Sequence, residues 1–310
     1  QNTAAGNYSL YNNSSGSSNT SIGYTSLYEN TTGGNNTALG FSSLQNNTSG
    51  AFNTGTGQGA LLFNISGTLN TACGAQALYY TTANSGNTAL GAGAGGSFDN
   101  ANNNTFLGYG ARASVANLSN STAIGATVQV TASDQVRVGD IFVNSIGGTV
   151  GWSTLSDGRF KKNVTENIPG LSFIMKLRPV TYNLDISSMN DMYKTSAGKW
   201  PEDLKDKSRT DNSKSKNLYS GFIAQEVEQA AGSLGYQFSG VDAPKNAADY
   251  YGLRYGEFVV PVVKAIQEQQ VIIFSLEKKI EALEIQNQKL KADNESFRKD
   301  LEEIKKVLGK

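Results

Sequence analysis

The stretch Ser153–Val164 reads STLSDGRFKKNV. It places the hydroxyl of Ser156, the carboxylate of Asp157 and the cations Arg159, Lys161 and Lys162 within a few residues of one another, around Gly158. These types admit two readings. One is a solvated linker with ordinary surface charges. The other is a point where the chain cuts its own backbone. A lone serine near a lysine is ordinarily a solvated turn, so what flanks the stretch must decide between them.

The 310-residue chain carries as many acidic as basic side chains, but they are unevenly distributed. Only Glu29, Asp99, Arg112, Asp134, Arg137 and Asp140 precede Gly151, and every other charge follows it. The first half therefore has no basic footprint for nucleic acid. The absence of histidine excludes histidine triads and histidine-ligated zinc. No cofactor or metal is expected. The one cysteine, Cys73, cannot form an intrachain disulfide. No apolar run is expected to cross a bilayer, so neither membrane nor nucleic acid is an expected partner. Because the chain opens on Gln1 without a methionine or a signal peptide, it reads as a processed form or a fragment.

The first half is one unit repeated. NTAAG at Asn2, NTSIG at Asn19, NTALG at Asn36, NTGTG at Asn53, NTACG at Asn70, NTALG at Asn87, NTFLG at Asn104 and STAIG at Ser121 follow one another at seventeen-residue steps. Leu10, Leu27, Leu44, Leu61 and Leu78 keep the same period. That length fits one coil of a β-solenoid, with two short strands and two turns per coil. The residue before each glycine (Ala5, Ile22, Leu39, Thr56, Cys73, Leu90, Leu107 and Ile124) is expected to form an inward stack, which would make Cys73 a core residue. The glycines are expected to adopt backbone conformations closed to other residues, or to let neighbouring coils approach closely. The Asn-Thr pairs are expected to form stacked turn hydrogen bonds, in preference to an ice-binding threonine array. Glu29 and Asp99 lie too far apart to act as a glycosidase pair. After Gly125, the alternation at Val128, Val130, Val136, Val138, Ile141 and Val143 predicts short strands of a neck running to Trp152. One thin core per chain would be marginal alone, which argues for association.

From Glu257 the period changes. With Ile273 at position a, Ile280, Asn287, Asn294, Leu301 and Leu308 follow at a. Leu276, Leu283, Leu290, Phe297 and Ile304 fall at d. This predicts a coiled coil beginning near Val260, with Pro261 tolerated in its first turn. Isoleucine at a with leucine at d leans towards two strands, whereas attachment to a repetitive fibre argues for three. Three is the expectation adopted.

The repeats resemble the heads of trimeric autotransporter adhesins and the repeats of phage-type tail fibres. That resemblance implies three parallel β-rolls side by side. The segments LSDGRFKKNV at Leu155, KLRPVTYNLD at Lys176, LYSGFIAQEVEQ at Leu218 and YGEFVVPVVKAIQEQQ at Tyr255 resemble the C-terminal intramolecular chaperone domain of phage tail spikes, including endosialidases. That resemblance implies a homotrimer whose chaperone guides assembly and then cuts itself off, once per chain, through a serine–lysine dyad. Carried onto this sequence, Ser156 is the nucleophile and Lys161 the general base, with Asp157 and Arg159 as supporting motif. The cut falls between Leu155 and Ser156. A lysine base must be neutral, which burial or a cationic neighbour such as Arg159 or Lys162 favours. Lys162 is the rival base, and Gly158 is expected to make the turn that returns Lys161.

The expected architecture is a mainly β solenoid or β-roll at residues 1–127, a β neck at 128–155, an α+β chaperone and autoprotease at 156–258, and a trimeric coiled coil at 259–310. Val227, Phe222 and Ile223 are expected to bury one face of a helix at QEVEQ. Residues 190–217 are expected to form a polar excursion. The expected setting is a virion, a phage-like particle or a bacterial surface, with a host receptor or glycan as an outside partner. The competing expectation is a surface adhesin whose C-terminal domain trimerises without cutting.

Overall fold

The computed structural model describes residues 1–96, 102–195 and 213–309. Two compact units emerge. The first gathers Gln1–Leu155 with Thr181–Ser220 and Ala243–Tyr250, and the second gathers Ser156–Val180, Gly221–Asp242 and Tyr251–Lys310. Most of the expected 190–217 excursion lies outside the described residues. Of its flanks, a helix, Ile186–Thr195, runs into it, and a 3-10 turn at Ser213–Lys216 follows it.

The first unit is a β-solenoid of about eight turns. Its strands are β1 (Thr3–Ala5), β2 (Thr20–Ile22), β3 (Thr37–Leu39), β4 (Thr54–Thr56), β5 (Thr71–Cys73), β6 (Thr88–Leu90), β7 (Thr105–Leu107), β8 (Arg112–Ala113), β9 (Thr122–Ile124), β10 (Gln129–Val130) and β11 (Val136–Val138). Nine of them form one parallel sheet in the order β1-β2-β3-β4-β5-β6-β7-β9-β11, and β8 pairs with β10. Thr3 pairs with Thr20, and the same step repeats as far as Thr105 with Thr122. The last step is shorter, pairing Thr122 with Val136. The strands expected of a separate neck are thus the closing rungs of the solenoid, reached by a shortened coil.

Each early coil has one strand where two were expected. Its far wall is a run of turns that still bonds coil to coil: Leu27 N donates to Ser43 O at 3.0 Å, and Leu44 N to Ala60 O at 2.9 Å. Leu27, Leu44, Leu61 and Leu78 adopt φ between 48° and 55°, a left-handed conformation that strands exclude. Their side chains are fully buried and fill the core.

The strand face corrects the expected inward stack. In a three-residue strand the side chains alternate. The middle residue (Ala38, Ala72, Ala89, Phe106 or Ala123) is the buried one. Its neighbours point outward: Ile22, Leu39, Leu90 and Leu107 are 40 to 49 % exposed, and Cys73 is exposed with them. The leucine row opposite leaves room only for a mostly small inward residue, so the larger apolar ones are displaced to the outer face.

The glycine after each strand is required. At Gly74 φ is +138°, and a Cβ would lie 2.5 Å from Gly91 O in the next coil. The asparagine opening each repeat is buried and links successive coils. Asn36 Nδ2 donates to Gly50 O at 2.8 Å, and its Oδ1 accepts from Asn53 N at 2.9 Å. This continues through Asn70, Asn87 and Asn104 to Ser121 N. A second ladder joins Asn13, Asn30, Asn47 and Asn64 at 2.7 Å per step. The expected stacked turn bonds therefore belong to the asparagines. Glu29 accepts from Asn12 Nδ2 at 2.9 Å, and Asp99 lies outside the described residues.

The last coil closes on a polar group. The Asp249 side chain is 4 % exposed. Burial acts to raise its pKa, but hydrogen bonds from Thr131, the Lys245 and Tyr250 amides and Gln135 outweigh that and hold it below the usual carboxylate range.

The second unit is small and mixed. It contains α1 (Leu171–Ile174), α3 (Ala224–Gly232), β14 (Val241–Asp242), β15 (Gly252–Leu253) and α4 (Val259–Leu308). Between α1 and α3 the chain also forms β12 (Val180–Tyr182), α2 (Ile186–Thr195) and β13 (Tyr219–Gly221), and β12 pairs with β13. Phe173, Val227, Phe238 and Phe258 make the core, with the Phe238 and Phe258 rings edge to face at 4.8 Å. Val227 is buried as expected of QEVEQ and Phe222 is partly buried, but Ile223 is exposed.

α4 begins one residue before the expected start and runs fifty residues. By length and composition alone its apolar stretch could cross a membrane, against the expectation that no run would. Its early turns nevertheless pack in the unit: Pro261 and Ala265 are buried, and Glu268 Oε2 accepts from Leu171 N at 2.7 Å. Beyond them the a and d side chains Ile273, Leu276, Ile280, Leu283, Leu290, Phe297, Leu301 and Ile304 are 43 to 65 % exposed.

Substituting Asn36→Ala leaves the buried Asn53 N–H unpaired, while Gly50 C=O keeps its bond from Asn47 Nδ2. The expected loss is on the order of 1–3 kcal/mol, read as a lower denaturant midpoint for the solenoid. A midpoint unchanged within error contradicts the ladder's structural role.

Candidate active site

After β11 the described backbone forms no strand before the second unit begins at Ser156. Leu155 is exposed. The local conformation at Ser156 is set by Asp157, which stays extended at φ −69° and ψ 126° and caps a 3-10 turn over Gly158–Phe160. Asp157 Oδ1 accepts from Arg159 N at 2.9 Å, a short side-chain cap of the kind aspartate favours. The Arg159 guanidinium then closes on the same carboxylate, with Nη2 to Oδ2 at 2.6 Å. Those bonds from the Arg159 side chain and amide hold the Asp157 carboxyl below its usual range.

The turn ends when Lys161 N donates to Gly158 O at 3.1 Å and the backbone becomes extended again. This directs the Lys161 side chain back along the chain, and its Nζ lies 2.9 Å from Ser156 Oγ. Among the described residues, this is the lysine that reaches the hydroxyl. Lys162 follows on the exposed extended segment. Two expectations need correction. Arg159 is committed to Asp157 and is not a free cation beside Lys161. Gly158 has open space around a Cβ and is not among the positive-φ residues. The return is the work of the aspartate cap and does not require a glycine.

A hydroxyl and an amine at this separation are within proton-transfer distance, and the carbonyl one residue upstream belongs to Leu155. Ser156 and Lys161 are both exposed. Among the described residues no group of histidine, cysteine, aspartate or glutamate side chains could hold a metal ion.

The segments behind the turn form a scaffold. Arg178 of KLRPVTYNLD pairs with Glu226 of QEVEQ through its Nε at 3.0 Å and its Nη2. Glu228 accepts from Tyr251 Oη at 2.8 Å. The Phe222 ring stacks on Phe258 at 5.3 Å. The helix face that buries Val227 was visible in sequence. The pairing of Glu226 and Glu228 was not read there, because their partners lie 48 and 23 residues away.

Residues 156–236 match the family described as the chaperone of endosialidase. The match opens on Ser156 itself and takes in the Asp157–Arg159 turn, Lys161, Arg178 and α3. No curated protein matches the chain. A chaperone-of-endosialidase segment behind a β-solenoid fits a tail-fibre-like protein.

Proposed function

We propose that the chain is a trimeric tail-fibre-like protein whose C-terminal chaperone brings three copies together, guides folding of the solenoid and then cuts the Leu155–Ser156 bond once per chain. The observation that carries this reading is the 2.9 Å approach of Lys161 Nζ to Ser156 Oγ at the first residue of the matched segment. Ser156 Oγ adds to the Leu155 carbonyl carbon while its proton passes to the neutral Lys161 amine. The Leu155–Ser156 C–N bond breaks, and the Ser156 nitrogen takes up a proton to become a free amine. The product is an ester between Leu155 and the serine oxygen. Water then adds to that ester and its C–O bond breaks, giving a Leu155 carboxylate and restoring the hydroxyl.

Association is supported by two surfaces that a single chain leaves uncovered. A purely parallel sheet is normally covered on both faces, yet the outward row from Ile22 to Leu107 is open and carries no charge. The a/d stripe of α4 is open as well, and a narrow stripe of this period is buried by copies of itself. Copies joined by that helix hold their solenoids at high local concentration. They can also supply the water-excluding wall that a neutral lysine requires. The exposure of Ser156 and Lys161 in one chain favours the competing reading, a non-cleaving surface adhesin.

Denaturing electrophoresis with intact mass decides the first point. Wild type is expected to yield fragments ending at Leu155 and beginning at Ser156. Ser156→Ala and Lys161→Ala are expected to slow the cut by at least about 10²–10⁴-fold, while Lys162→Ala cuts like wild type. A wild-type trimer that stays whole through long incubation favours the adhesin.

The second point is read at Cys73, which lies in the outward row. Mild oxidant or a short bismaleimide is expected to join two chains of the native trimer, and Cys73→Ser to abolish the product. A trimer by native mass with no such product places the interchain face elsewhere on the solenoid.

A further inference from the structure

Two pieces of chain that follow the proposed cut pack in one unit with residues that precede it. The first is Ala243–Tyr250, which grips the turn between β10 and β11. Asp249 Oδ1 accepts from Thr131 Oγ1 at 2.5 Å, from Gln135 Nε2 at 3.4 Å and from Arg137 Nη2 at 3.4 Å. Its other oxygen accepts from Lys245 N at 3.1 Å, which fixes the loop around the carboxylate. Asn246 Nδ2 donates to Thr131 O at 2.7 Å. The Arg137 guanidinium lies 4.4 Å from the centre of the Tyr250 ring. The second piece is Lys214, whose Nζ donates to Ile141 O at 2.8 Å and to Val143 O.

We propose that Asn246, Asp249 and Tyr250 form a clasp on the last solenoid coil that keeps the C-terminal fragment attached after the Leu155–Ser156 bond is cut. This rests on the cleavage reading above and adds that cutting and release are separate events. Hydrolysis removes a tether and none of these contacts. The carboxylate is desolvated, shares its proton donors with the coil's own turn and faces the Arg137 cation. A buried, hydrogen-bonded charge pair of this kind governs dissociation more than encounter. The clasp also supplies what a repeat stack lacks at its end. A terminal coil has no following neighbour to bond its polar groups and needs a cap. Thr131, Gln135 and Arg137 bond to one another within the coil, and Asp249 and Asn246 from beyond the cut add the cap over them. A fragment that left at once would take that cap from the last coil.

The test separates the clasp from the self-cutting chemistry. A specific protease sequence is placed between Gly147 and Gly148, which are exposed and have no crowding neighbours, in the full chain carrying Ser156→Ala. After complete cutting, verified on a denaturing gel, native mass spectrometry and size exclusion at neutral pH report whether the two fragments travel together. The expected result is one species containing both, with dissociation accelerated at least tenfold by Asn246→Ala with Asp249→Ala. Tyr250→Ala serves as a milder second variant, and the uncut melting curve of each variant shows whether it folds. Fragments that part immediately with the clasp intact overturn the proposal, as do folded clasp variants that hold together as firmly as the parent. Wild type that fails to cut itself removes the cleavage reading alone, since the engineered cut still reports on the clasp.

Discussion

The bond from one coil's asparagine oxygen to the next coil's backbone amide is the constraint on which the first half depends. It recurs from Asn2 to Ser121 at 2.8 to 3.0 Å, and almost every member is buried. A buried amide without a partner is costly. Each repeat must therefore deliver an asparagine at the same height, which makes the seventeen-residue length rigid wherever this ladder runs. The length changes only after the ladder ends: Ser121 replaces the asparagine, and the next pairing step shortens to Thr122 with Val136. The glycines obey the same spacing for a different reason, since the next coil's carbonyl occupies the space a Cβ would need.

A ladder that fixes height does not fix what the outer face is for. The coil's interior is filled by the leucine row from one side and the small strand residue from the other, so each coil is internally complete. The outward apolar row contributes nothing to that interior, and the α4 stripe contributes almost nothing to the core of the second unit. Two apolar rows of different period, in two separate units, are thus left over by a chain that has otherwise buried its core. That surplus is the physical argument for copies. On the proposed reading, the surroundings that would activate the exposed serine and lysine would come from the other copies; without copies, their exposure favours the non-cleaving alternative.

Much of this was legible from residues and spacing. The invariant phase of glycine and asparagine announced coils, and the change to a seven-residue period announced α4 to within one residue of its start. The choice of Lys161 over Lys162 came from the resemblance to the chaperone family, since the residue types alone fit a solvated turn; the structure brings Lys161 Nζ to Ser156 Oγ. The facing of the strand was misread because alternation over three residues has no internal phase reference. Leu39 looks like a core residue until Leu44 is seen to occupy the core. The role of Gly158 was misassigned because the aspartate cap at Asp157 already makes the turn. The Asp249 group left no signal at all: Thr131 and Asp249 are 118 residues apart, and neither belongs to a repeat or a motif.

On the proposed reading, the turn at Ser156 and the clasp at Asp249 would together resolve a difficulty that either would pose alone. A folding aid that cuts itself free as soon as its dyad forms would abandon a solenoid whose last coil is still unsupported. A folding aid that cannot be cut would leave the fibre tied to its own template. With the tether and the contacts placed in different parts of the chain, the proposed hydrolysis would remove the tether and leave the contacts at the last coil, so cutting and departure would be separate events. Once the cut fragment left, refolding would be blocked by loss of the template instead of by a deeper native minimum, and the persistence of the proposed fibre would be kinetic. The two features draw on different residues: the Asp157 turn involves residues 156–161 only, whereas the clasp contacts Thr131, Gln135 and Arg137. On the proposed reading the clasp would therefore need a closed final rung to grip, whereas the turn would not.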